Sequence, residues 1–282
     1  MNPQFGASIL SWIHPVWNAE AGKYAIQKTA DTGFDLIEIL LPISMDFDAP
    51  VVKTQLKQAN LGVVCSLNLS KPYHIPFHPK EATGLIKKAL DKATALEATT
   101  LVGVLHSAIG VFTGQPRTET EENIVCEVWS EVAAYAAQYG ITIGIEPINR
   151  YESYVCTSAD EVLKMIAKVN APNLALHLDT FHMNVEEGNF YEPVLQAGTK
   201  LQHVHMTESD RGMLGEGNVH WDDFFKALAK INYAGPLVLE NFSSQIAGMA
   251  SATSLWRSSK YGAEELAKGS LAFMRQMVEK YN

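Results

Sequence analysis

A chain of 282 residues is long enough for one large domain or two small ones, and 47% hydrophobic and 19% charged residues are typical of a globular protein. The net charge of -9 disfavours a nucleic-acid partner, because phosphate binding requires a basic face. No apolar run approaches the ~18 to 20 residues of a membrane-spanning helix, so we expect no membrane partner. The first residues, MNPQFGASIL, lack the basic and apolar regions of a signal peptide.

The three cysteines indicate the redox state of the cellular compartment in which the protein resides. Cys65, Cys126 and Cys156 lie far apart and form no CxxC pair, so neither a disulfide framework nor a zinc–thiolate site is indicated. We therefore expect a reducing, cytoplasmic location.

Short β-rich runs alternate with longer segments of helical periodicity along the whole chain. Eight strands are predicted at 5–10, 36–40, 62–69, 99–105, 141–148, 174–179, 201–208 and 236–242. The clearest amphipathic helix is ENIVCEVWSEVAAYAAQYG, whose apolar residues recur at spacings of three and four before a terminal glycine. A helix is also predicted to begin at TSADEV, with Thr157 or Ser158 as its N-cap. Strands that alternate with helices predict a parallel sheet.

The number of these units selects the architecture. Eight strand–helix units fit the (β/α)8 barrel, an α/β fold whose usual size is ~250 residues. A doubly wound open sheet is the alternative, but no GxGxxG motif follows the first strand. No linker or low-complexity tract divides the chain, so we expect a single TIM barrel domain over residues 1–282.

Active sites of such barrels lie at the carboxyl ends of the strands. There, the fifth to eighth predicted strands present four ionisable residues: Glu146, Asp179, His205 and Glu240. Taken singly, each is typical of a helix cap, an ion pair or a core histidine. Taken together, three carboxylates without a basic residue on these strands repel one another, and a divalent cation relieves that repulsion. Oxygen ligands with one imidazole favour Mn²⁺, Co²⁺ or Mg²⁺ over zinc.

Other polar residues accompany these four. Strand periodicity places His177 on the face of Asp179 and His203 on the face of His205, one layer deeper in the barrel. Three more residues follow the same strands on loops, where contact with a substrate competes with simple solvation: Glu152, His182 and Arg211.

Several motifs resemble those of the ketose 3-epimerases, the D-tagatose and D-psicose (allulose) 3-epimerase family of xylose-isomerase-like barrels. They are IEPINRYE, LDTFHMNVEE, HVHMTESDRG, LGEGNVHW and the late LWR. The resemblance runs from the first strand to the last helix and is strongest over residues 140–242. LDTFHMNVEE is specific to the epimerases, whereas IEPINR also occurs in hydroxypyruvate isomerases. ENF after the eighth strand and ESDRG after the seventh depart from the family pattern.

The resemblance implies a metal-dependent isomerase that epimerises free ketoses at C3 through a cis-enediolate. It implies that Glu146, Asp179, His205 and Glu240 bind Mn²⁺ or Co²⁺, with Glu146 and Glu240 as the two acid/bases. It further implies that Glu152, His182 and Arg211 hold the O1 to O3 end of the sugar, and that the enzyme is a homodimer or homotetramer.

The alternative is an aldose–ketose or hydroxypyruvate-type isomerase that uses the same metal site. An endonuclease of the same barrel type is disfavoured by the acidic balance, and an inert sugar-binding protein by the presence of all four ligand residues.

Overall fold

The computed structural model describes residues 1–282 and shows a closed barrel of eight parallel strands, which follow one another around the barrel in chain order. The strands are β1 (Phe5–Ser8), β2 (Leu36–Leu40), β3 (Gly62–Ser66), β4 (Thr100–Gly103), β5 (Thr142–Ile145), β6 (Leu174–Asp179), β7 (Leu201–Met206) and β8 (Leu237–Leu239). The predicted (β/α)8 barrel is confirmed.

Ten α-helices surround or follow the strands. They are α1 (Ala19–Thr32), α2 (Ala49–Ala59), α3 (Pro79–Ala95), α4 (Glu119–Ala137), α5 (Ala159–Val169), α6 (Thr180–Glu186), α7 (Glu192–Ala197), α8 (Trp221–Lys230), α9 (Met249–Thr253) and α10 (Ala263–Tyr281). Three short 3-10 helices cover Ile9–Ser11, Lys71–Tyr73 and Gly198–Lys200. None of the helices combines the length and the apolar character that crossing a bilayer requires.

The predicted strands differ from the observed ones mainly at their carboxyl ends. β6 matches its prediction, but β5 ends at Ile145 and β8 at Leu239, so each is followed directly by a glutamate that the prediction included in the strand. The chain leaves the sheet at these points to form the loops of the barrel mouth. Side chains at strand ends are therefore presented to the mouth rather than to a neighbouring strand.

Two helices that follow loops of the mouth, α4 and α5, begin with side-chain caps. The Ser158 side chain accepts a hydrogen bond from the backbone N–H of Glu161 and is the N-cap of α5, which resolves the choice between Thr157 and Ser158. α4 begins with a full capping box between Thr118 and Glu121. These caps fix where the loops of the mouth end and the helices begin.

The barrel interior changes from apolar to polar along its axis. Near the amino end, a separate buried cluster joins Leu36, Val64, Val102 and Val238. Since side chains two residues apart share a face, the residues that follow Leu36 and Val238 by two positions, Glu38 and Glu240, continue the same interior rows toward the mouth. Both are buried. The lower barrel is thus an apolar plug, and the charged groups form the layers above it.

Gly103 ends β4 at a point where the backbone permits no side chain. Its φ of +121° is a conformation that side chains rarely adopt, and an added Cβ would lie 2.5 Å from the carbonyl oxygen of Leu67. Its own carbonyl accepts a hydrogen bond from the backbone N–H of Glu146. The glycine therefore helps to set the backbone from which Glu146 projects.

We predict that Gly103→Ala lowers the free energy of unfolding by about 2 kcal/mol or more, because the strained backbone and the clash with Leu67 add. Urea denaturation followed by circular dichroism measures the change. The matched control is Gly84→Ala in α3, where nothing lies within 4 Å of the added methyl group. That change should leave stability unaltered or raise it by about 0.5–1 kcal/mol. Equal stability of both variants would contradict the prediction.

Candidate active site at the barrel mouth

Four consecutive strands bring the predicted metal ligands together. Asp179 is the last residue of β6 and pairs in register with His205 of β7, while Glu146 and Glu240 stand one residue beyond β5 and β8. All four side chains are buried. The structure therefore places every one of the predicted ligands in the mouth of the barrel.

The Nδ1 atom of His205 lies at the centre of this group. It is 3.6 Å from Glu146 Oε1, 3.9 Å from Asp179 Oδ2 and 3.7 Å from Glu240 Oε1. These distances are too long for hydrogen bonds, and the nitrogen has no other hydrogen-bond partner in the protein. The ligand atoms of Glu146, Asp179 and His205 all lie within 4.8 Å of one another. A buried nitrogen that faces three carboxylates fits the donor set of a divalent cation.

Arg211 supplies the positive charge that the ligand strands lack. It lies on the loop after β7, and its Nη1 donates to Asp179 Oδ2 at 2.9 Å and also to Glu240 Oε2. The guanidinium lies between two aromatic rings, with its carbon 4.0 Å from the centre of Phe181 and 4.8 Å from that of Phe242. The sequence predicts Arg211 as a substrate contact, and the structure shows it bound to two of the predicted ligands.

Asp179 uses its two oxygens differently. Oδ1 accepts a hydrogen bond from the backbone N–H of Phe181 at 2.7 Å and caps α6, whereas Oδ2 faces Arg211 and the site. The residue is thus a helix cap and a member of the carboxylate cluster at once. The two sequence-based interpretations of this aspartate do not exclude each other.

Asn149 connects the other two predicted substrate residues. Its Nδ2 group donates to Glu152 Oε1 at 2.8 Å and to His182 Nδ1 at 2.9 Å, and its backbone N–H also donates to His182 Nδ1. The remaining ring nitrogen of His182, Nε2, lies 3.9 Å from Glu146 Oε1 and 4.0 Å from Asp179 Oδ2. The sequence assigns no role to Asn149, although this residue lies in the motif IEPINR, because only the folded loop brings its amide between two distant residues.

Glu208 holds the loop that carries Arg211, a role that the sequence does not predict. It is fully buried, and its carboxylate accepts hydrogen bonds from the backbone N–H groups of Ser209, Gly215 and Val219 and from the indole of Trp221. Its carbonyl accepts from the backbone N–H of Arg211, whose φ is +62°. A single buried carboxylate therefore fixes a long loop and with it the position of the guanidinium.

A layer of histidines lies beneath the site. His177 and His203 are fully buried, as their positions on the strands predict. The His177 ring packs edge to face against His205, with centres 4.2 Å apart, and against His203 at 4.6 Å. Glu38 of β2 accepts hydrogen bonds from Nε2 of both His203 and His205. The three histidines also have metal-binding spacing, but two of their nitrogens already bind this carboxylate.

Burial and charge separate the pKa values of the four predicted ligands. Burial raises the pKa of Glu146 to about 7 and also raises the pKa of Glu240. Burial acts in the same direction on Asp179, but the charge of Arg211, together with the nearby histidines and the backbone N–H of Phe181, outweighs it and leaves the pKa below its ordinary value. Burial lowers the pKa of His205, yet the nearby carboxylates, Glu38 first, hold it well above its ordinary value. Glu146 and Glu240 are therefore the carboxylates that accept a proton most readily.

Apart from the ring nitrogens of His177 and Nδ1 of His203, three further buried polar groups have no hydrogen-bond partner in the protein. They are the indole N–H of Trp12, the hydroxyl of Thr207 and the side-chain amide of Asn241. All three follow the carboxyl ends of strands, and Asn241 is the middle residue of the ENF segment that departs from the epimerase pattern.

Comparison with known proteins decides the family. The profile of the xylose isomerase-like TIM barrels matches residues 26–277. The L-ribulose 3-epimerase of Methylomonas sp. (strain DH-1) is 37% identical over 279 residues, which cover 97% of each chain. The chain belongs to the ketose 3-epimerase family.

The other similarities of this family member agree with that assignment. The ketose 3-epimerase of Arthrobacter globiformis is 36% identical over 93% of this chain and 92% of its own. The crystal structure of D-allulose 3-epimerase from Methylomonas sp. in complex with D-allulose superposes with a TM-score of 0.92 at 35% identity, covering 98% of this chain and 97% of that one. The epimerase is thus an isomerase by family, and the predicted resemblance is confirmed.

We predict that Asn149→Ala lowers kcat/KM of the epimerase about 100-fold, because both Glu152 and His182 lose the group that orients them. Steady-state kinetics on a ketose that the wild-type enzyme converts measures the change. The matched control is Asn173→Ala. Asn173 directly precedes β6, at the opposite end of the barrel, and its side-chain amide donates hydrogen bonds to two backbone carbonyls. This control should lose stability but keep its kcat/KM. An Asn149→Ala enzyme with wild-type kinetics would show that the amide does not position the pair.

Proposed function

We propose that the protein is a divalent-metal-dependent ketose 3-epimerase of free sugars, in which Glu146, Asp179, His205 and Glu240 hold the ion. The observation that carries this proposal is the buried Nδ1 atom of His205, which has no partner and faces three carboxylates. Membership of the ketose 3-epimerase family supports epimerisation at C3 as the reaction. Relatives named for L-ribulose and D-psicose and a neighbour bound to D-allulose support a ketose as the substrate.

The donor set favours Mn²⁺ or Co²⁺, with Mg²⁺ as the further candidate, because three carboxylates and one imidazole are mainly hard ligands. When bound, the ion acts as a Lewis acid that polarises the carbonyl group of the sugar. Arg211 already neutralises part of the negative charge in the mouth. The protein therefore tolerates the carboxylate cluster before an ion binds.

The proposed reaction inverts the configuration at the sugar carbon C3, because a proton leaves one face of that carbon and another proton is added to the opposite face. One glutamate removes the proton, the electrons of the C3–H bond form a C2–C3 double bond, the π electrons of the carbonyl group move to O2, and a cis-enediolate results. The other glutamate then returns a proton to the opposite face and restores the carbonyl. Glu146 and Glu240 are suited to these roles because they follow different strands and because burial raises the pKa of both. Their roles exchange in the reverse direction.

The remaining polar residues orient the substrate in this proposal. His182 accepts hydrogen bonds at Nδ1, and burial lowers its pKa to about 3, so its ring is neutral with the proton on Nε2. That N–H points toward the side of the site that holds Glu146 and Asp179. We assign His182, Glu152 and Arg211 to the O1 to O3 end of the ketose.

We predict that the metal-free protein is inactive and that Mn²⁺ restores deuterium incorporation at C3 of a ketose in D₂O, with the C3 epimer as product. NMR spectroscopy of D-tagatose, D-fructose, D-psicose, L-ribulose, D-xylulose and hydroxypyruvate measures both events. Exchange at C1 with an aldose product would instead assign the chain to the aldose–ketose or hydroxypyruvate-type isomerases. Turnover that persists after thorough chelation would contradict the metal requirement.

We predict that Glu146→Gln and Glu240→Gln each reduce turnover by at least about 10⁴-fold while the fold is kept, because an amide cannot carry the proton. Circular dichroism verifies the fold, and the control is Glu121→Gln, since Glu121 is a buried carboxylate at the start of α4. Either active-site variant retaining more than a few per cent of turnover would contradict the two-base scheme.

Two further properties stay predictions. The three cysteines are free and buried, which supports the proposed reducing, cytoplasmic location. A homodimer or homotetramer follows from the family resemblance, and light scattering on the purified protein measures the mass that decides it.

A further inference from the structure

β2 carries a single charged residue among apolar neighbours. In the strand LIEIL, Glu38 is the middle residue and is only 1% exposed. Burying a carboxylate without partners costs several kcal/mol of folding free energy, so we expect Glu38 to have polar partners inside the barrel. Nothing in the proposed reaction uses this residue.

The partners of Glu38 come from a distant part of the barrel. β1 and β8 lie between β2 and β7 in the closed sheet, so the carboxylate reaches its partners through the interior. Its Oε2 atom is 2.7 Å from His203 Nε2 and 2.9 Å from His205 Nε2. Both distances are those of strong hydrogen bonds. One oxygen therefore accepts from both imidazoles of β7.

This contact determines where the proton of a neutral His205 ring resides. An ionised carboxylate only accepts hydrogen bonds, so Nε2 must carry a hydrogen. In the neutral ring Nδ1 is then an unprotonated lone pair. Nδ1 is also the atom that faces Glu146, Asp179 and Glu240. The opposite tautomer would direct an N–H group at the ion and could not bind it.

The orientation of the His205 ring is fixed by packing as well. Its plane is nearly perpendicular to that of His177, at 87° with centres 4.2 Å apart, and is inclined by 72° to that of His203. These contacts hold the ring, but they do not distinguish Nδ1 from Nε2. Of the contacts to this ring, the one to Glu38 selects between the two nitrogens.

We propose that Glu38 is the positioning residue that holds His205 as the Nε2-protonated tautomer, so that Nδ1 is the metal-binding atom. This inference rests on the proposed metal-dependent function and deepens it. Such carboxylate–histidine–metal arrangements orient a ligand and raise its basicity. The metal-binding group then extends to a strand in the first half of the chain.

A purely structural role for Glu38 makes a different prediction. If the carboxylate only compensated charge in the interior, its replacement would change stability but not the affinity for a metal ion. Metal binding by the folded protein therefore distinguishes the two roles, independently of activity. Metal-free variants that keep the circular dichroism spectrum of the wild type are the proper material.

The test compares Mn²⁺ binding, measured by electron paramagnetic resonance of the free ion, in the wild type, Glu38→Met and Glu38→Gln. Methionine removes the acceptor, and we expect it to weaken binding about 10- to 100-fold. Glutamine keeps an acceptor oxygen at the same place and should restore part of the affinity. The matched control, Glu121→Gln, should bind Mn²⁺ as the wild type does.

A measurement on the wild-type protein avoids the risk that a variant does not fold. In the Co²⁺-loaded protein, the Nε2–H proton of a histidine bound through Nδ1 gives a paramagnetically shifted NMR signal that disappears in D₂O. We expect one such signal that exchanges slowly, because the proton is buried against Glu38, and that shows a cross-peak to the ring Hδ2 proton, which adjoins Nε2 and not Nδ1. Its absence in the wild type would overturn the assignment of the tautomer.

The outcomes separate this inference from the proposed function. If Glu38→Met folds and binds Mn²⁺ within about twofold of the wild type, the positioning role is wrong while the metal-dependent function stands. If the wild type neither binds Mn²⁺ nor epimerises any ketose, the proposed function fails and this inference with it. Weakened binding in Glu38→Met with partial recovery in Glu38→Gln supports both.

Discussion

Three carboxylates are buried together in the mouth of the barrel, and they need nearby positive charge. Much of the surrounding structure supplies that charge or holds it in place. Isolated, the side chains of Glu146, Asp179 and Glu240 would repel one another in a poorly hydrated space. The Arg211 guanidinium binds two of them, and the His205 ring faces all three. The site therefore has a cationic side, and its donor atoms already converge, before any ion arrives, which is the preorganisation that metal chemistry needs.

The loops of the mouth follow from the same requirement. Glu208 accepts hydrogen bonds from backbone N–H groups of the loop that carries Arg211, and so helps to hold the guanidinium against the carboxylates. Asp179 ties the cluster to α6 by capping it. The ion pairs of the carboxylate cluster and the hydrogen bonds of the surrounding loops thus stabilise the same conformation. A change in one of these two sets of contacts therefore affects the other.

Local sequence pattern predicted the barrel and the positions of the four candidate ligands, because strand periodicity and strand ends are properties of short segments. The alternation of LALHLD, for example, gives both the buried face and the residue at the mouth. Sequence pattern could not predict the contacts of Asn149 and Glu208 or the ion pairs of Arg211, because the conformation of irregular loops decides which of these groups meet. Glu38 offered a signal, a lone charge within an apolar strand, but its partners come from far along the chain.

The hydrogen bonds between β2 and β7 also constrain how the chain reaches its final state. All four candidate ligands lie in the second half of the sequence, whereas Glu38 lies in the first. Until the β7 histidines arrive, a dry interior would enclose an unpaired carboxylate at a cost of several kcal/mol. A partly assembled barrel must therefore stay hydrated inside. Expulsion of water, closure of the sheet and completion of the site are then coupled, and the first half of the barrel is not stable as a dry intermediate.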